Sequence, residues 1–310
     1  MSDARAPILG TALLVAAGGL VVLGAPSGAE ERPGRITAHI QVVSYNTDAQ
    51  IRTRRAVDDV VRLAETGADI LALQEMGSPD RRARVVRRLV SCGDCKFRAY
   101  LPRPAVPGST PILFRARRFH LQGVGSRQVT EATHVGSQGA GPTVLRGRFV
   151  NWVHLRERRT GRSLFVLNNH AVPTVQVGDG GPNTKLPKRL AIYRQHMAAL
   201  QEMVRRFRER GGKVLVTGDL NVNYRSDCRV AAGLFPYHRL GEVGMRASYK
   251  TLGMPERGTH VLPTGSDRRL IDYVYYLPRD SVRPEEQHIL RGYSSDHRPL
   301  LVGFALTRPR

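Results

Sequence analysis

Short apolar runs that stop on polar or acidic residues narrow the possible folds of this chain more than any other feature. Ser44-Tyr45-Asn46 ends the run that begins at Ile36, Leu73-Gln74-Glu75 ends a second, Asn168-Asn169-His170 a third and Gly218-Asp219-Leu220-Asn221 a fourth. Ile271-Asp272-Tyr273 sits inside a late run, and Ser294-Ser295-Asp296-His297-Arg298-Pro299 precedes the last one. Alternation and β-branched content make these runs strands. Asp, Asn, Glu and His at their ends have low strand propensity and serve folding poorly. Taken singly, each has a plain structural explanation: Asn46 as a turn former, Glu75 as a helix cap, Asp219 with Asn221 as an Asx turn, His170 as a satisfied core histidine. Their conjunction points instead to a site assembled from strand ends.

The rest of the chain supplies the elements around them. Strands are expected at 36–45, 69–74, 97–101, 111–114, 144–154, 163–169, 213–217, 270–276, 286–290 and 300–305, the 144–154 and 163–169 pair joined as a hairpin. Apolar residues at helical spacing predict helices over 50–67, 80–89 and 188–210. The Gly-, Pro- and Asn-rich stretch 172–186 reads as a surface loop. On the long third helix, Arg189, Arg194, Arg205, Arg206, Arg208 and Arg210 read as a solvated face in preference to a phosphate track. No repeat, and no linker after Pro33, divides residues 36–310 into two domains.

In order and separation, Asn46, Glu75, His170, Asp219-x-Asn221, Asp272 and Asp296-His297 resemble the motifs of the endonuclease/exonuclease/phosphatase superfamily. The resemblance covers residues 36–305, and Gly218-Asp219-Leu220-Asn221 and Ser295-Asp296-His297-Arg298-Pro299 are its most specific pieces. It implies a four-layered α-β-β-α sandwich of two mostly antiparallel sheets, the motif residues meeting in a cleft at one end. It also implies phosphoric-ester hydrolysis, which needs a cation for the developing charge, a base for water and a donor for the leaving oxygen. Asn46, Glu75 and Asp296 are then the expected ligands of Mg²⁺ or Mn²⁺, with Ca²⁺ the remaining candidate. Asp219 would orient or deprotonate water, Asn221 would bond a phosphate oxygen, and Asp272 would orient His297. His297 would be general base or phosphate stabiliser, and His170 would donate to the phosphate or leaving oxygen. Two departures from the DNase I type accompany the match. Gly108-Ser109-Thr110-Pro111 stands where an acidic partner of His170 would be, and Gly77 where an arginine would follow the metal glutamate.

Charge and address refine the substrate. Lys and Arg number 48 against 26 Asp and Glu, a net +22 that would attract polyanions. An Arg-biased composition spreads this charge along the whole chain, so it supports nucleic acid as partner without selecting it. The single tryptophan, Trp152, argues against an aromatic membrane-inserting hairpin. A secreted nuclease is therefore the leading expectation. A phosphodiesterase or phosphatase for lipids or small phosphorylated substrates is the enzyme alternative, and a catalytically idle polyanion-binding module the other. Residues 6–29 carry no charge, and Ser27-Gly28-Ala29 resembles a cleavage site, so 1–29 is expected to be a signal peptide or an uncleaved membrane anchor, with 30–35 a linker. Either way the domain faces outward and is expected to be a monomer. Cys92 and Cys95 are close enough for a small-loop disulfide in an oxidising compartment.

Overall fold

Strand β1 (Ile36–Asn46) sets the architecture, because both of its faces are apolar. Ile40 and Val42 point into one buried cluster, and Val43 and Tyr45 into another. A strand buried on both faces belongs in the middle of a layered structure. In a computed structural model of the protein the described residues are 36–91, 96–103, 106–136, 144–277 and 282–307. The segments 1–29 and 30–35 and the Cys92/Cys95 pair lie outside them.

After β1 come α1 (Thr53–Glu65), β2 (Ile70–Gln74), α2 (Pro79–Leu89), β3 (Phe97–Tyr100), β4 (Ile112–Arg115), β5 (Phe119–Thr130), β6 (Thr133–His134), β7 (Val144–Leu145), β8 (Arg148–Glu157) and β9 (Ser163–His170). The chain continues through α3 (Pro187–Glu209), β10 (Lys213–Asp219), α4 (Tyr224–Val230), α5 (Pro236–Glu242), β11 (Arg246–Ala247), α6 (Ser248–Leu252), β12 (Asp272–Tyr276), β13 (Val282–Ile289) and β14 (Leu300–Thr307). One sheet has the order β13-β14-β1-β2-β4-β3 and the other β11-β12-β10-β9-β8-β5, with β6 and β7 a separate two-stranded ribbon. In the two large sheets β1 and β2 are parallel, as are β9 and β10, and the remaining pairings are antiparallel. The sheets pack face to face, β1 against β10 and β12, and β2 against β9 and β10. Helix α1 covers the outside of the first sheet with Val57, Val60 and Leu63. Helix α3 covers the second with Leu190, Tyr193, Met197, Leu200, Val204 and Phe207. The result is a DNase I-like α-β-β-α sandwich.

Register then brings the strand ends together. Asn46 lies opposite Gln74, and Asp219 lies opposite both His170 and Asp272. Buried amides lock the offset between the sheets. Gln74 Nε2 donates to Asn168 Oδ1 at 2.8 Å, and Asn168 Nδ2 donates across to the carbonyls of Leu73 (2.7 Å) and Pro111 (3.0 Å). Amides paired in this way resist sliding, because a shift in register would leave further buried donors and acceptors unpaired.

Several elements depart from the sequence expectation. β5 is a twelve-residue strand that carries no apolar run, since its alternate residues face solvent. The strand expected over 144–154 is two, β7 and β8, separated at Arg146-Gly147. The short helices α4, α5 and α6 fill a region with no clear period. Arg189 does not join the solvated face of α3. It is buried at 3% exposure, while Arg194, Arg205, Arg206, Arg208 and Arg210 are exposed.

Candidate active site

Two loops frame the site. Glu75, immediately after β2, has φ +60°, a left-handed conformation that is costly for a glutamate and marks a residue held by its surroundings. Asn46 holds it from β1. Its Nδ2 donates at 3.1 Å to Glu75 Oε1 and at 3.1 Å to Asp219 Oδ2, so one amide joins carboxylates from the two sheets. The Ala49 N–H donates to Glu75 Oε2 at 2.6 Å. The loop that supplies it is fixed by Arg81 of α2, whose buried guanidinium donates to the carbonyls of Asp48 (2.8 Å) and Ile51 (2.7 Å).

The second loop carries His297. Its Nδ1 donates to Asp272 Oδ2 at 2.8 Å, and its Nε2 lies 3.7 Å from Asp219 Oδ2. His170 Nε2 approaches the same oxygen at 3.5 Å. Asp219 Oδ1 accepts the backbone N–H of Asn221 at 2.8 Å. Asp272 is positioned through its main chain, its N–H donating to Thr259 Oγ1 at 3.1 Å and its carbonyl accepting the Tyr249 hydroxyl at 2.6 Å. Ser295 ties this loop to β1, donating to the Asn46 carbonyl at 2.9 Å and accepting the His297 N–H at 3.0 Å. Buried Asp59 of α1 anchors the loop from the other side by accepting the Ser294 N–H (2.7 Å) and the Tyr45 hydroxyl (2.9 Å).

The electrostatics follow from this packing. Burial disfavours the His297 imidazolium, but the bonded Asp272, with Asp219 and Asp296, outweighs it and raises the pKa to about 10. Burial, reinforced by the charge of Asp272, raises Asp219 against the pull of His297 and His170. Burial and the positive charge of Arg148 lower His170 and keep it neutral. Burial would raise Glu75, yet His170 in its protonated form, the Ala49 N–H and the Asn46 amide together hold it low. The ensemble is an ionised glutamate, a basic aspartate, a charged histidine and a neutral histidine around one cleft of about 620 Å³.

Asn46, Glu75, His170, Asp219, Asn221, Asp272 and His297 thus stand together as one connected group. Asp296 lies at its rim, within 4.8 Å of a ring nitrogen of His297. Its half-exposed carboxylate faces His260 Nε2 at 3.5 Å and accepts the Ser295 hydroxyl at 3.3 Å. The donor set fits a hard divalent cation. Glu75 and Asp219 converge on one amide, and Asp272 Oδ1 is buried without a hydrogen-bond partner. Asp219, Asp272 and His297 form one cluster of ligand atoms within 4.8 Å, and His260, Asp296 and His297 form another. Sequence reasoning missed Arg81, Asp59, Thr259, His260 and Arg148. Only a buried arginine in a helix start, or a histidine near the late strand, carried any signal, and neither is distinctive in a sequence with so much arginine.

Comparison with known proteins gives the same picture. The model of the endonuclease/exonuclease/phosphatase family matches residues 43–297. A family protein of Bacteroides thetaiotaomicron superposes with a TM-score of 0.60 at 18% identity, covering 87% of this chain and 96% of that one. TDP2 of D. rerio, solved with a single-strand DNA product, gives 0.59 at 16% identity over 86% of this chain and 99% of its own. A B. thetaiotaomicron mannosyl-6-phosphatase gives 0.56 at 18% identity over 86% and 99%. No curated protein matches the sequence. With the family model matched over most of its length, the chain belongs to the endonuclease/exonuclease/phosphatase family.

Proposed function

We propose that this protein is a divalent-metal-dependent nuclease that hydrolyses phosphodiester bonds of nucleic acid outside the cell. Members of its family are phosphoric-ester hydrolases and generally depend on a divalent metal. The observation that carries the reading is the connected line Asp272–His297–Asp219, facing Asn46 and Glu75 across one cleft. Glu75 and Asn46, with Asp219 beside them and Asp296 at the rim, would hold the cation. Bound there, the cation would neutralise charge on the phosphoryl oxygens.

The chain's own groups supply the rest. Asp219, made more basic by burial and by Asp272, takes the proton of the attacking water. His297, charged and held by Asp272, offers its Nε2–H to the oxygens on which negative charge develops. Neutral His170 donates to the leaving oxygen, and Asn221 bonds a phosphoryl oxygen. Water adds to phosphorus as Asp219 takes its proton, the ester P–O bond breaks, and the leaving oxygen, hydrogen-bonded by neutral His170, takes its proton from solvent and departs as an alcohol. The +22 charge and Arg146 and Arg148 in the cleft support a polyanionic substrate. A neighbouring fold with a DNA product supports the same class. The uncharged segment 6–29 supports export.

The test presents the purified protein with supercoiled plasmid, single-stranded DNA, RNA, sphingomyelin and bis(p-nitrophenyl) phosphate, each with Mg²⁺, Mn²⁺, Ca²⁺ or EDTA, beside His297→Ala. Nicking or degradation that disappears in EDTA and in the variant is the expected result. Intact nucleic acid with turnover of the lipid or small ester would move the function to the phosphodiesterase branch. No turnover with salt-sensitive DNA binding would leave only a polyanion binder.

A further inference from the structure

The rim of the cleft carries a histidine that neither folding nor the reaction uses. His260 lies on the segment between α6 and β12, and its backbone does structural work there. Its N–H donates to the Arg269 carbonyl at 3.2 Å, and the residue pairs with His297 in an isolated β-bridge. Its side chain adds nothing comparable. The ring is 13% exposed, yet Nδ1 is buried without a hydrogen-bond partner among the described residues, and Nε2 reaches only Asp296 Oδ2, at 3.5 Å. A buried ring nitrogen left unpaired costs free energy that a hydrocarbon ring of the same size would not. The His297 ring lies beside it, the two centroids 4.7 Å apart. One ligand atom from each of His260, Asp296 and His297 falls within 4.8 Å of the other two.

Two imidazoles and a carboxylate are a different donor set from Asn46 and Glu75. Magnesium takes oxygen ligands and keeps several waters, whereas imidazole suits zinc and its neighbours in the first transition row. Tetrahedral zinc, with ligands at about 2.05 Å, sets neighbouring ligand atoms roughly 3.3 Å apart. The 3.5 Å between His260 Nε2 and Asp296 Oδ2 is already close to that spacing. His297 is also prepared for a metal. Asp272 holds its Nδ1 at 2.8 Å, the carboxylate–histidine pairing that orients a ligating ring and leaves Nε2 to bind. Asp296 is half exposed, which gives an ion a way in and leaves a fourth position to water.

We infer that His260, Asp296 and His297 form a second cation site at the rim of the cleft, selective for zinc-like ions over magnesium, and that an ion seated there switches hydrolysis off. Its entry displaces the proton on His297 Nε2 to solvent, because a ligating nitrogen must offer its lone pair. The ring can then no longer donate to the oxygens on which negative charge develops, and Asp296 is drawn away from the hard cation. The switch rests on the nuclease reading. The site does not, and binding alone tests it.

The experiment strips the full chain of metal, blocks free thiols with iodoacetamide so that no cysteine competes, and titrates it with Zn²⁺ and with Mg²⁺ by calorimetry. His260→Gln is expected to weaken Zn²⁺ binding at least tenfold and to leave Mg²⁺ binding unchanged. Glu75→Gln is expected to do the reverse. Zn²⁺ affinity that survives His260→Gln, or that falls equally in Glu75→Gln, overturns the site. If His260→Gln does not fold, His260→Phe keeps the ring volume without either nitrogen, and the same loss is expected and the same result overturns it. Co²⁺ in place of Zn²⁺ should give the intense visible bands of a four-coordinate ion in the parent chain, and their persistence in the His260 variant would likewise reject the assignment. For the switch, turnover of bis(p-nitrophenyl) phosphate and of plasmid in Mg²⁺ is followed against added Zn²⁺. The half-inhibiting concentration should rise at least tenfold in His260→Gln, and equal inhibition of parent and variant overturns the switch. If no ester is hydrolysed the nuclease reading fails, and the Zn²⁺ titration still decides the site.

Discussion

The chemistry of single side chains depends on which neighbour each one is given. Asp272 is the clearest case, because it is completely buried and offers one oxygen to His297 Nδ1. Asp272→Asn removes the charge that raises His297 and presents an amide that can donate where the ring must donate. The ring then adopts the wrong tautomer and loses its positive charge. A fall in kcat on the order of 10³ to 10⁴ is expected, by analogy with other carboxylate–histidine pairs. The ring nitrogen shifts of His297 in the metal-free protein at pH 7.5 should change from charged to neutral, and an unchanged spectrum would reject this account. Glu75→Gln tests a different function. The amide can still accept from the Ala49 N–H, so the loop survives, but the hard anionic donor is gone. Mg²⁺ affinity, followed by calorimetry, should drop tenfold or more while the melting temperature of the metal-free protein stays within a few degrees.

At the level of elements, the pairing of β9 with β10 places His170 beside Asp219, and Gly218 makes that pairing possible. Its φ is +144°, and a Cβ there would lie 2.0 Å from the Asn169 carbonyl oxygen, a backbone atom that cannot swing aside. Gly218→Ala therefore has to separate the two strands at the residue before Asp219. A loss of roughly 2–4 kcal/mol in unfolding free energy is expected. Activity should fall even under conditions where the variant is fully folded. The strands that build the site were legible in the sequence because apolar runs, alternating in β1 and continuous in β2, β9 and β10, end abruptly in Asn46, Glu75, His170 and Asp219. β5 was not, because one of its faces is wet and its glycines serve packing. Gly125 lies under Trp152, where a Cβ would come within 2.5 Å of the indole. The burial of Arg189 and the placement of Arg148 and His260 at the site were illegible for another reason. Each is defined by what distant segments bring to it, and in so arginine-rich a chain neither residue type nor helical position separated the buried Arg189 from its exposed neighbours on α3.

For the molecule as a whole, charge acts in two ways. The +22 excess is mostly on the surface, so its effect is long-ranged and screened by salt. Under the proposed nuclease function, two phosphate contacts, one each from Arg146 and Arg148 of the cleft, predict that nucleic-acid affinity falls about tenfold between roughly 50 and 200 mM salt, measured by fluorescence anisotropy. A steeper loss would place more of the exposed α3 arginines on the substrate. Buried charge acts on stability instead. Asp227 in α4 is fully buried and, among the described residues, its carboxylate accepts only the Tyr237 N–H, at 2.8 Å, and burial raises its pKa to about 7. His196 in α3 is fully buried and donates to Asn169 Oδ1, and burial, with the charge of Arg148 and that of His170 when protonated, lowers its pKa to about 3. Between about pH 4 and 7 the folded chain holds a proton on Asp227 that the unfolded chain has released, so this group lowers stability as pH rises. Between about pH 3 and 6.5 the unfolded chain holds a proton on His196 that the folded chain refuses, so that group raises stability as pH rises. The slopes are equal and opposite over their shared range, and each conceals the other. Asp227→Asn keeps the acceptor for Tyr237 and removes one of the two titrations. The stability of the variant relative to the parent should therefore rise with pH by about 3 kcal/mol between pH 4 and 6.5, read from urea unfolding across that range. A difference that stays flat would mean that Asp227 ionises in the folded protein as it does in the unfolded chain.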